Sequence, residues 1–162
     1  MNDDRFIQRD RMRFIRNSTS ANLCYLGILF NVFYFVNLYQ SDVGTYYYQI
    51  FIGASIVYNL LFLLVVFLAS EAVKNYVKSY SYLLAVIGAM QVVRVTYIPM
   101  RAHAAMTAVN GVDVPVMGDG QFYLLTAFLL ISAACLLVSA AVNFKKCQEL
   151  AEHMKTLESQ SA

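Results

Sequence analysis

The sequence predicts an all-α membrane protein: a four-helix transmembrane bundle, both termini cytoplasmic, with an N-terminal interfacial helix and a small external β-hairpin loop. Three observations carry that reading. Segments 21–40, 46–69, 80–100 and 121–143 are apolar almost throughout, and a bilayer core takes roughly 20 residues of helix. Among Asp, Glu, Lys, Arg and His, only Arg94 falls inside them. All 12 Lys and Arg except Arg94 and Arg101 lie on one side of a four-pass weave, in the N-terminal segment, the second connection and the tail. By the positive-inside rule that side is cytoplasmic.

Composition agrees. The chain is 59% hydrophobic and 14% charged, with mean hydropathy +0.54. A soluble domain carries about 25% charged residues, so a soluble bundle of these four segments would lack a polar surface. A net charge of +2 gives no reason to expect a nucleic-acid partner.

Residues 1–20 form the cytoplasmic basic segment. Arg5, Arg9, Arg11, Arg13 and Arg16 crowd it, and Asp3 or Asp4 suits the start of a helix over 3–16. Phe6, Ile7, Phe14 and Ile15 would enter the headgroup boundary while the arginines meet lipid phosphates. Asp10 interrupts that apolar stripe, so the simpler reading of the arginines is a topology signal. No cleavable signal peptide is expected. Asn17-Ser18-Thr19 matches a glycosylation sequon but falls on the cytoplasmic side.

Residues 21–143 hold the bundle. The first connection, 41–45, is short enough to make spans one and two a tight hairpin. The second, 70–79, is cytoplasmic. The third, 101–120, is the longest, and residues alternate around Asn110-Gly111, a pair suited to a two-residue turn. Pro115 limits the second strand. Gly118-Asp119-Gly120 reads as the turn into the fourth span. Tyr46, Tyr47, Tyr48, Tyr97, Phe122 and Tyr123 fall at one membrane edge, and Phe14, Tyr76, Tyr80, Tyr82 and Phe144 at the other. The cytoplasmic tail, 144–162, continues the fourth helix. Its seam of Cys147, Leu150, Met154 and Leu157 suits a partner or the cytoplasmic face.

The span centres hold the most specific pattern. Asn31, Asn59, Gln91 and Ser132 come to nearly the same depth, on faces shared with Gly27 and Tyr34, with Ser55, with Gly88 and Arg94, and with Cys135 and Ser139. Such residues commonly bind helices together at about 0.6–2 kcal/mol per contact. The other reading, to which Arg94 gives its weight, is that they line a small polar cavity. Arg94, about 6 Å outward of the centre, either snorkels to the membrane edge or meets a charge that no span of this chain supplies. Pro99 loosens the helix just beyond it.

Catalytic chemistry is not expected. No serine or cysteine nucleophile stands with a base, and no glycine loop suits phosphates. Cys24, Cys135 and Cys147 form no close pair. His103, Asp113 and Asp119 lack metal-ligand spacing, so neither metal nor cofactor is expected. The expectation is a non-enzymatic subunit or assembly partner in the cytoplasmic membrane, bound to another membrane protein or to itself. The alternative is a small transporter or channel in which Arg94, with Gln91, Asn59, Asn31 and Ser132, recognises an anionic group. The lack of intramembrane Asp or Glu argues against proton or cation coupling.

Overall fold

The computed structural model describes residues 16–39, 49–109 and 112–161. The expected helix over 3–16 with Arg5, Arg9, Arg11 and Arg13, the connection 41–45, Tyr46 to Tyr48 and the Asn110-Gly111 turn lie outside the described residues.

The chain runs α1 (Ser18–Tyr39), α2 (Gln49–Lys74), α3 (Ser79–Tyr97), α4 (Pro99–Ala104), β1 (Met106–Val109), β2 (Val112–Pro115) and α5 (Asp119–Ser161). Among the described residues four stretches are long and apolar enough to cross a membrane: Ser18–Leu38, Gly53–Lys74, Ser79–Ala104 and Asp119–Leu157. The third is not one helix. Pro99 has no N–H to continue the ladder, so α3 closes at Ile98, whose N–H bonds the Arg94 carbonyl at 3.3 Å, and α4 starts on the proline. The fourth continues without a break through the tail. Its 43 residues make a rod about 64 Å long, twice the thickness of a bilayer core.

Local signals set the other ends. Asn17 caps α1, accepting the Ser20 N–H at 3.4 Å on its side-chain oxygen. At the end of α2, Tyr76 N–H reaches the Val73 carbonyl and Val77 N–H the Ala72 carbonyl, both at 3.2 Å. This is a Schellman closure with Tyr76, at φ 58°, in the left-handed position that glycine usually fills. The Cys147 thiol donates to the Tyr76 carbonyl at 3.1 Å and pins that turn to α5. Strands β1 and β2 pair antiparallel, Met106 opposite Pro115 and Val109 opposite Val112.

Helix α5 is the spine, packed along both α1 and α3, whereas α2 leans mainly on α1 and touches α3 less. Two glycines allow the close approach. A Cβ on Gly27 would lie 3.0 Å from the Leu136 side chain, and one on Gly88 2.9 Å from that of Leu137. The interior is layered. Ala21, Cys24, Phe62, Val66, Leu84 and Leu136 pack at the end where Asn143 lies. Tyr34, Leu38, Ile98, Met117, Leu125 and Leu129 pack at the hairpin end. Outward-facing positions are apolar on all four long helices, among them Leu29, Leu60, Leu64, Val86, Val93 and Leu130. A belt of that extent is foreign to a water-soluble surface.

Candidate functional site

Between the two apolar layers lies a polar one. Asn31 on α1 is its hub. Its Oδ1 accepts from Gln91 Nε2 at 3.0 Å and from Arg94 Nη1 at 3.2 Å, both on α3. Its Nδ2 donates to Asn59 Oδ1 on α2 at 3.3 Å. Asn59 Nδ2 ends the chain on the Ser55 carbonyl at 2.8 Å. Three-residue spacing on α3 puts Gln91 and Arg94 on one face and so lets both reach a single oxygen.

Arg94 does not snorkel. Only 7% of it is exposed, and its guanidinium lies between the rings of Tyr34 and Tyr58, at 4.6 and 4.7 Å from their centroids. Each such face attracts a cation, by about 2 kcal/mol where water is excluded. Those rings and the Asn31 dipole compensate the charge, and among the described residues Arg94 makes no ion pair. Arg94 Nη2 and Gln91 Oε1 have no hydrogen-bond partner among the described residues, and neither does the Ser55 hydroxyl at the far end of the chain.

Of the residues expected to share this layer, Asn31, Asn59, Gln91 and Arg94 meet and Ser132 does not. The Ser132 hydroxyl donates to the Gly27 carbonyl at 2.8 Å. Because Gly27 has no side chain, α5 comes close enough for the hydroxyl to find α1 backbone one turn before Asn31. The two tyrosines were not expected as ligands of the arginine. Tyr34 shares the Asn31 face, but Tyr58 adjoins Asn59 in sequence and gave no spacing signal.

A second polar layer closes the Asn143 end. Asn17 Nδ2 donates to Asn143 Oδ1 at 3.0 Å, and Asn143 Nδ2 to Ser81 Oγ at 2.8 Å. Lys146 Nζ donates to Asn17 Oδ1 at 3.1 Å, and Ser139 Oγ to the Ser20 carbonyl at 2.7 Å. This layer joins α1, α3 and α5. It escaped the sequence reading because Asn17 and Asn143 sit at span edges, where polar residues are unremarkable. Asn17 is fully buried and its amide engaged, so in the folded protein the sequon has no free acceptor. Arg16, beside it, is exposed.

At the hairpin end His103 stacks on Phe122 with ring centroids 4.6 Å apart, and its Nε2 lies 3.8 Å from Asp119 Oδ1. Among the described residues no three His, Cys, Asp or Glu come together as a metal site would require. Compared with protein-family models, with curated proteins and with solved structures, the chain matches none.

Proposed function

We propose that the chain is an integral membrane protein of four spans with both termini cytoplasmic, and that it is a non-enzymatic binding protein whose Arg94 takes an anionic group within the bilayer. The observation that carries the reading is that Nη2 of an arginine only 7% exposed has no partner among the described residues. An intramembrane cation without a carboxylate is expensive to keep, and an anion would complete it. Orientation rests on charge. Arg16, Lys74, Lys78, Lys145 and Lys146 gather at the Asn143 end, Asp113 and Asp119 at the hairpin end. The hairpin is then external. Assembly with a partner protein through Arg94 fits less well, since the guanidinium faces the bundle interior behind Tyr58. Transport of the bound group is a natural extension, because α2 holds α3 weakly and is the element best placed to move.

Melting in detergent tests the reading, using wild type, Arg94→Lys and Arg94→Leu with phosphate, sulfate, acetate or chloride. An anion at 100 times its Kd should stabilise wild type by about 2.7 kcal/mol. Arg94→Leu leaves Asn31 Oδ1 with its Gln91 bond, so the variant should fold, melt no lower than wild type, and ignore anions. Lysine lacks the planar fork and should respond weakly. An equal anion response in wild type and Arg94→Leu would sink the proposal.

A further inference from the structure

The hydrogen bonds of the Asn31 layer have a fixed direction. A guanidinium only donates, so the Asn31 atom facing Arg94 must be its oxygen. The other end of Asn31 is then its NH2, which requires oxygen from Asn59, and the Asn59 NH2 falls on the Ser55 carbonyl as found. Gln91 meets the same Asn31 oxygen, so it too must present its NH2. Turned end for end, Gln91 would set oxygen against oxygen. Its Oε1 is therefore an acceptor that the network does not use and, like the Arg94 Nη2 donor three residues along α3, has no partner among the described residues. Gln91 is fully buried.

A site in which Arg94 Nη2 is a free donor and Gln91 Oε1 a free acceptor discriminates among anions. A fully deprotonated anion satisfies Arg94 Nη2 but places a lone pair against Gln91 Oε1. An oxyanion that keeps a proton offers an acceptor oxygen to the arginine and a hydroxyl to the glutamine. From this we infer that the group bound at Arg94 is a proton-bearing oxyanion of the hydrogen phosphate or phosphate monoester type. The inference rests on the anion-binding reading above and adds the role of Gln91 as the residue that reads the proton. The same chemistry comes from free phosphate or from a lipid whose headgroup is a phosphate monoester.

Phosphate and sulfate make the critical pair, being alike in shape but not in protonation at pH 7. Purified full-length protein in detergent is titrated with each while its melting temperature is followed. Wild type should prefer phosphate by on the order of tenfold or more, the scale of one buried acceptor left unmet. In Gln91→Met the two affinities should converge, phosphate losing its acceptor and sulfate losing the facing lone pair. Arg94 Nη1 still occupies Asn31 Oδ1 in that variant, and the wild-type ratio stands as a test even if the variant does not fold. A lipid arm repeats the comparison in nanodiscs, with phosphatidic acid against phosphatidylmethanol, its diester analogue without the proton. A preference for phosphatidic acid alone supports the inference and assigns the source to lipid. Equal binding of phosphate and sulfate, abolished by Arg94→Leu, overturns the inference and leaves anion binding standing. No response to any of the four probes overturns both.

Discussion

Asn31 and Asn59 are the same residue type at the same depth, yet the structure gives them unequal weight. Removing the Asn31 side chain strands Arg94 Nη1, Gln91 Nε2 and Asn59 Oδ1 together. Removing that of Asn59 strands only Asn31 Nδ2. Asn31→Leu should therefore cost about 3 kcal/mol or more, the scale of a buried charge losing its partner, and Asn59→Leu about 1 kcal/mol. Ser132 shares no partner with either, so its change to Ala should add to that of Asn59→Leu within about 0.5 kcal/mol. Reversible unfolding in detergent measures all of these, and equal losses at Asn31 and Asn59 would contradict the hub.

Between helices, the glycine contacts make a similar distinction. Alanine is worth about 1 kcal/mol more than glycine in a helix interior, so the outcome depends on whether the neighbour can yield. Leu136, opposite Gly27, is fully buried, whereas Leu137, opposite Gly88, is 40% exposed and can swing outward. Gly27→Ala should lower stability by about 1 kcal/mol through overpacking, and Gly88→Ala should be near neutral. Thermal melts of the two variants check this, and the reverse order would refute the packing of α5. The helices themselves were legible because runs of apolar residues leave little alternative. Their ends were less so. The α1 start depends on a capping bond from Asn17, and the break at Ile98 turns one expected span into two helices, since Pro99 removes a backbone donor without removing any hydrophobicity.

At the scale of the whole molecule, the depth of the polar residues could be counted from sequence, but not which helices face one another. Ser132 shows the difference. Its depth matches that of Asn31, but α5 approaches α1 at Gly27, and that approach is a tertiary fact. Topology also becomes testable in a sharper way. Native Cys147 is buried, so its silence toward an impermeant thiol reagent would say nothing about sidedness. Exposed Val112 and Ser159 are better positions. In whole cells a cysteine at Val112 should label and one at Ser159 only after lysis, and labelling at Ser159 in intact cells would reverse the orientation. The fixed direction of the Asn31 layer has one more consequence, for leakage. A proton travels along hydrogen bonds only through groups that give up one proton, take another and then turn over. Asn and Gln amides stay neutral, the guanidinium keeps its proton, and Asn31 cannot rotate while Arg94 faces it. Asn31, Asn59, Gln91 and Arg94 therefore make no proton relay among themselves, although they form one continuous run of hydrogen bonds.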